Sequence, residues 1–385
     1  MGTIFVFLFP VALLEFIFTG SRNSIDETFN LISLSKYILL LIYLLSIFYL
    51  NLASTKVKPK ILKLDYNSMH LIVFMLFILA ATTFTFQATT SILGVLKINL
   101  IIYACYLYSI NSTSYSLEQF WKNSLLLTTP LIIFVIILGV LNGFSNGFSR
   151  HSFFIFNLTH YLPYVITLFL YALFCYKGKG RKTICLVLSL YVLITASRGG
   201  LLALLLSVAA CYIFLYKDRI SMKILMIGLL TVISIASISF LLALRVDEIT
   251  SLSDEPYRYK LIEMALFAIF ENPIVGNGYL TFVEKSTSLS YSLGLDMAKK
   301  KATHNTHLEI AYSFGVFAYF LLLNFFYRGI TISRIYMRAY PKFGLFYATT
   351  IVYLFIHSFT VNMESLPLFW FVLATTSIIR EDQYA

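Results

Sequence analysis

Three side chains in this sequence have the chemistry to grip an anion and move a proton: Arg198, Arg258 and His304. Arg198 stands in Thr195-Ala-Ser-Arg-Gly-Gly200, between two apolar runs. A charge in that setting is costly, and it is functional more often than not. Gly199 and Gly200 permit a tight turn and a close backbone approach. A guanidinium beside free backbone N–H groups suits phosphate oxygens. The plainer alternative is a snorkelling topology marker.

Arg258 follows Pro256, a good first residue for a helix. Leu261, Ile262, Ala265, Leu266, Ile269 and Phe270 then recur at helical spacing, so 256–270 is expected to be an amphipathic helix at a membrane interface. Arg258 would lie in its first turn, where free amides and the positive end of the dipole favour an anion. Pairing with Asp254 or Glu255 is the bland alternative. His304 stands at the mouth of the next apolar run, before Asn305, Leu308 and Gly315. An imidazole titrates near neutral pH, so it can deprotonate a hydroxyl or, protonated, steady an anionic leaving group. His307 is a second candidate one turn on, with Glu309 a possible orienting carboxylate. A lone His at a helix end is more often a cap or a hydrogen bonder. Its position beside two outward arginines raises the functional odds.

These residues need elements to position them, and composition says what those elements are. The 385 residues are 59% hydrophobic and 12% charged, with a mean hydropathy of +0.82. Soluble domains carry about 25% charged residues. So much apolar surface cannot be hidden within the chain, and lipid must be the solvent. Apolar runs fall near 3–19, 32–53, 70–90, 92–110, 123–142, 155–176, 183–197, 200–216, 223–244, 305–327, 343–361 and 365–380. The expected fold is all-α: a polytopic membrane protein of about twelve transmembrane helices. Residues 1–385 form a single membrane domain. The runs flanking Arg198 are short, which suggests tilted helices or a re-entrant pair.

The net charge of +11 invites a nucleic-acid reading, but the cations sit in short loops between apolar runs. With the N-terminus inside, alternate loops collect Lys56–Lys63, Lys177–Lys182, Lys217–Lys223 and Arg328–Lys342. That asymmetry puts both termini in the cytoplasm and the long loop 245–304, with its amphipathic helix, outside. The loop is not basic overall, because its acidic residues offset its cations, so an anion must be held by placed arginines. Lys299-Lys-Lys301 is expected to be a solvated run. Asn272-Pro-Ile-Val-Gly276-Asn-Gly278 reads as a turn that ends the amphipathic helix and shapes the loop. Cys105, Cys175, Cys185 and Cys211 all fall in apolar runs without metal or disulfide spacing. No phosphate-loop or dinucleotide pattern is present, and no nucleic-acid partner is indicated.

In order and spacing, Ser197-Arg198-Gly199-Gly200, Arg258, Pro273, Gly276, Gly278, His304-Asn305, Leu308 and Gly315 resemble the O-antigen ligase/polymerase family of bacterial envelope enzymes. The resemblance covers roughly residues 190–325. It implies a transferase of the bacterial inner membrane that acts on the periplasmic face. The donor would be a glycan on undecaprenyl pyrophosphate, and no metal, nucleotide or other cofactor would be required. In the polymerase branch the acceptor is another lipid-linked repeat unit, and a chain-length regulator protein is an expected partner. In the ligase branch the acceptor is lipid A–core. By this resemblance Arg198 and Arg258 would hold the pyrophosphate, with Gly199, Gly200, Asn305 and His307 near the substrate. His304 would activate the acceptor hydroxyl or assist the leaving group. Polymerase is the favoured branch. A lipid-linked oligosaccharide flippase is the competing class, but it needs ionisable groups inside the helix bundle, and here the helix interiors are nearly free of charge.

Overall fold

The computed structural model describes residues 38, 41–42, 44–46, 49, 66–84, 89–112, 114–146, 161–195, 197–215, 255–294 and 302–378. For a few of these, Arg198 and Arg258 among them, it describes the backbone alone. The expected spans 3–19 and 223–244, most of 32–53 and the loop segments 245–254 and 295–301 lie outside the described residues.

The described elements are all helices: α1 (Tyr66–Phe84), α2 (Thr89–Asn111), α3 (Ser114–Asn146), α4 (Leu162–Phe174), α5 (Arg181–Ile194), α6 (Arg198–Leu215), α7 (Glu255–Glu271), α8 (Thr281–Ser292), α9 (Thr306–Ala339), α10 (Pro341–His357) and α11 (Pro367–Ile378). No strand occurs among the described residues. Segments within α2, α3 and α9 are long and apolar enough to cross a membrane. Their outward faces are apolar too: Leu93 and Leu96 on α2, Phe134 and Ile137 on α3 and Phe320 on α9 are exposed. A helix that is apolar all round belongs in lipid or in a core. At 1.5 Å per residue, the 14 residues of α5 reach about 21 Å, short of the ~30 Å hydrocarbon layer.

The bundle closes around aromatic residues. Trp121 on α3 donates its indole N–H to Tyr347 Oη on α10 at 2.9 Å and meets Phe346 and Phe371 edge-on. Phe74 on α1 packs against Phe325 of α9 and Trp370 of α11. Six threonine hydroxyls in this dry interior are satisfied within their own helices. Thr82, Thr129, Thr167, Thr349, Thr350 and Thr375 each donate to the carbonyl four residues back, which a helix without water requires.

The two ends of the bundle differ. At one end α4 and α5 are joined by a lysine-rich turn. There Arg181 closes the C-terminus of α4, donating from Nε to Ala172 O at 3.1 Å and from Nη2 to Leu173 O. The Cys175 thiol donates to Lys342 O at 3.5 Å, tying that turn to the start of α10. The exposed Lys177, Lys179, Lys182, Arg338 and Lys342 flank it. At the other end lie the start of α6, the start of α9 and the connection 358–366 between α10 and α11.

Candidate functional site

The connection 358–366 is the piece that brings two of the sequence motifs together. The Thr306 N–H donates to Ser358 O at 2.8 Å and the Thr306 hydroxyl to Val361 O at 2.8 Å. In return the Met363 N–H donates to Thr306 Oγ1 at 2.6 Å. These bonds pin the start of α9 to the connection. The start of α6 meets the same connection at Gly199, where a Cβ would stand 2.9 Å from Thr360 Oγ1. Thr360 in turn is held by its hydroxyl, 2.9 Å from His357 Nδ1.

Gly199 and Gly200 are therefore present for close approach. They do not form a turn: α6 begins at Arg198 and runs through both. Ser197 lies just before it, its Oγ accepting the Gly200 N–H at 3.3 Å. A Cβ on Gly200 would lie 2.3 Å from Leu162 Cδ2 of α4. Only bare backbone lets the first turn of α6 sit this deep. Arg198 is the first residue of that turn; its side chain lies outside the described ones.

His304 is exposed and has φ +50°, a left-handed conformation that is uncommon for a non-glycine residue. The residues on either side are buried. Asn305 caps α9, its Oδ1 accepting the Leu308 N–H at 3.1 Å. Thr303 Oγ1 lies 2.9 Å from Glu309 Oε2, 3.2 Å from Asn362 Oδ1 and 3.3 Å from Asn305 O. A hydroxyl has one proton, so these acceptors compete for it, and the carboxylate is nearest and strongest. The imidazole thus stands at the positive end of the α9 dipole.

His307 is placed differently. It is 3% exposed, and its ring is wedged among Phe359, Phe355 and Tyr319, stacked on Phe359 at a centroid distance of 3.9 Å. Its Nε2 lies 2.7 Å from Ser358 Oγ and 3.2 Å from Phe355 O. This arrangement suits an imidazole that holds the connection 358–366 against α9. Glu309 orients neither histidine directly: its oxygens accept from Thr303 and Ser313.

Glu364 is 3% exposed. Burial, with the Glu309 carboxylate as a lesser cause, pushes its carboxyl up to about 8. Among the described residues its Oε2 has no hydrogen-bond partner. Glu364, Thr303, Asn362, Ser358 and Thr360 were not singled out in the sequence. The one available signal was the polar stretch Asn362-Met-Glu364-Ser between the last two apolar runs.

Arg258 lies in the first turn of α7, which spans Glu255–Glu271, close to the expected 256–270; its side chain is outside the described ones. The buried stripe of α7 is Leu261, Met264, Ala265, Ala268 and Ile269, set against Ala311 and Tyr312 of α9 and Phe282 of α8. Ile262, Leu266 and Phe270 face outward instead. The turn 272–278 ends α7 as expected. Asn277 donates from Nδ2 to Ala268 O at 2.9 Å. The turn then enters a break in α9 at Gly315, whose φ is +83°. There Tyr312 O accepts the Asn277 N–H at 2.7 Å, Ser313 O accepts the Gly278 N–H at 3.1 Å, and the Val316 N–H donates to Pro273 O at 2.7 Å. Backbone groups released by the break are paired by the turn.

Described elements that are all helices, with apolar segments long enough to span a bilayer and a polar site at one end, point to an integral membrane protein built around that end. The O-antigen ligase family model matches residues 183–323, from α5 through the first half of α9. The match supports the O-antigen ligase/polymerase family for this chain, and with it a membrane glycosyltransferase-like enzyme of surface-polysaccharide synthesis. No curated protein matches the chain.

Proposed function

We propose that the protein is a surface-polysaccharide (O-antigen) polymerase. It transfers a glycan from undecaprenyl pyrophosphate to the hydroxyl of another lipid-linked repeat unit. The observation that carries this reading is the meeting of two matched motifs on one connection: the start of α6 at Gly199 and the turn of His304 both rest on 358–366. A phosphate-binding arginine and a proton-accepting imidazole are thereby offered at one end of the bundle.

The division of labour follows from chemistry. The pyrophosphate leaving group is already activated, so orientation and charge stabilisation suffice. Arg198 and Arg258 hold its oxygens from the first turns of two helices, where backbone amides add to their charge. Gly199 and Gly200 let the α6 terminus come close. His304, exposed at the start of α9, takes the proton of the acceptor hydroxyl or steadies the departing pyrophosphate. Asn305 serves it as a cap, and His307 is left to packing. The lysine-rich end of the bundle, opposite the site, faces the cytoplasm by the positive-inside rule. The site and loop 245–304 then face the periplasm from the inner membrane, with both termini cytoplasmic. Membrane lipid and a chain-length regulator protein are the expected partners.

Ligation of the finished glycan to lipid A–core is the second reading, favoured by the description of the matching family as O-antigen ligase. A deletion strain separates the two on a glycan gel. Loss of a polymerase leaves single repeat units on the cell surface, whereas loss of a ligase leaves unattached polymer on the lipid carrier. His304→Ala, Arg198→Ala and Arg258→Ala should each reproduce the deletion while the protein stays in the membrane. Normal chain length in all three would sink the assignment.

A further inference from the structure

The left-handed backbone of His304 needs neighbours that hold it, because such conformations persist only where the surroundings over-determine them. On its C-terminal side the hold is ordinary: an asparagine cap and a backbone bond from Thr306 to Ser358. On its N-terminal side the hold is unusual. Thr303 is buried at 4% exposure, and its hydroxyl is anchored by a carboxylate that is itself 4% exposed. Burying a carboxylate is expensive, and an apolar residue would fill the space more cheaply. What the carboxylate offers is reach. From the first turn of α9, Glu309 extends back to the residue before His304, with Oε2 on Thr303 at 2.9 Å and Oε1 on Ser313 at 3.1 Å. Asn362 Oδ1, 3.2 Å from the same hydroxyl, adds a second acceptor from the connection 358–366.

We propose that Glu309 is a positioning residue for His304: by accepting the Thr303 hydroxyl it fixes the turn that presents the imidazole. This rests on the reading of His304 as the reacting group. Glu309 touches no substrate in this scheme. It acts through Thr303, and the positive end of the α9 dipole offsets its charge.

The test uses full-length protein with Thr303→Val, Thr303→Ser, Glu309→Gln and His304→Ala. Two quantities are measured. One is glycan elongation on the lipid-linked oligosaccharide extracted from deletion-strain membranes. The other is the rate at which diethylpyrocarbonate modifies His304 in purified protein, read by mass spectrometry. Thr303→Val keeps the side chain's shape and removes its donor. It should slow elongation about tenfold to a hundredfold at little change in KM, as a displaced catalytic group does. It should also alter the modification rate of His304. Thr303→Ser should restore both, and Glu309→Gln should fall between. If Glu309→Gln does not fold, Thr303→Val carries the test alone. Loss of elongation in His304→Ala with wild-type elongation and modification in Thr303→Val overturns this inference and leaves the proposed function standing. Normal elongation in His304→Ala overturns this inference together with the proposed role of His304.

Discussion

Gly315 and Ile274 share one space: a Cβ on Gly315 would stand 2.0 Å from Ile274 O and 2.8 Å from Pro273 O. The turn 272–278 occupies the break in α9 that Gly315 opens, so the long loop and the helix carrying His304 are built as one unit.

Gly315→Ala should therefore be severe. It forces a non-glycine residue into φ +83°, ψ 172°, a region open essentially to glycine alone, at about 1–3 kcal/mol, and adds a clash with backbone that cannot swing aside, for a total of about 3 kcal/mol or more. Gly294 is the internal control. It also has positive φ, at +65°, but a Cβ there meets nothing within 4 Å, so Gly294→Ala should show the strain alone. Thermal unfolding of the detergent-solubilised variants would separate the two effects. Equal melting points would show that the turn does not occupy the break.

Asn277 should be nearly as intolerant. It is 7% exposed, donates to Ala268 O at the end of α7, and accepts from Asn272 Nδ2 at 3.0 Å. Asn277→Ala leaves the Ala268 carbonyl with only the longer 3.3 Å bond from the Asn272 N–H and takes the acceptor from Asn272 Nδ2, at a cost of about 0.5–1.5 kcal/mol for each lost bond. Asn277→Asp should cost more, because a carboxylate oxygen would face that carbonyl. Protease sensitivity between α7 and α8 would report the loosening, and an unchanged digestion pattern would argue against this cap.

The sequence carried much of this, and the gaps have physical causes. Apolar runs located α1 to α6 and α9 to α11 because lipid demands them, and the Pro-Gly turn after α7 was legible from its chemistry. α8 was not expected. Its buried face is Thr281, Phe282, Ser286 and Ser290; three of the four are small polar residues, so hydrophobic periodicity is too weak to show the helix. Half the apolar stripe expected on α7 points outward, because a helix beside lipid need not bury one face only. The role of Glu309 was missed in part: its partner Thr303 lies before the helix. Glu364, which lies near it electrostatically, comes from a distant connection. Only the fold brings 303, 309, 362 and 364 together.

The two histidines should separate activity from stability. His304 is exposed, so His304→Ala should leave the unfolding free energy within about 0.5 kcal/mol of wild type while chain elongation is lost. His307→Ala removes a ring packed against Phe359 and leaves the Ser358 hydroxyl without its imidazole partner. It should cost about 3 kcal/mol, as truncation of a buried ring does. The reverse pattern, a stable His307→Ala that cannot elongate chains and an active His304→Ala, would move the chemistry to the buried ring.

Gly199 and Thr360 should be coupled. Gly199→Ala puts a methyl 2.9 Å from Thr360 Oγ1 and 3.1 Å from its Cγ2, which must disturb the bond from Thr360 to His357. Thr360→Ala clears that space. In a double-mutant cycle the pair should show a favourable coupling of about 0.5–3 kcal/mol, read from melting curves. Additive losses would mean that the α6 terminus does not rest on the connection.

Glu364 gives the protein a pH dependence with a definite sign. Its carboxyl, ordinarily near 4.5, is pushed up to about 8 by burial and, second, by Glu309. Between those two values the folded state binds more protons than the unfolded state, so stability falls as pH rises through that window. The contribution is complete below about pH 4.5 and exhausted above about pH 8. Glu364→Gln keeps the shape and removes the titration. The variant should decline less steeply than wild type from pH 5 to pH 9 and should be the more stable of the two at the alkaline end. The Trp370 indole donates to the Glu364 carbonyl oxygen at 2.7 Å; that backbone bond is untouched by the substitution, so the local fold should survive it. Parallel stability curves for the two proteins would mean that Glu364 keeps an ordinary carboxylate in the folded state.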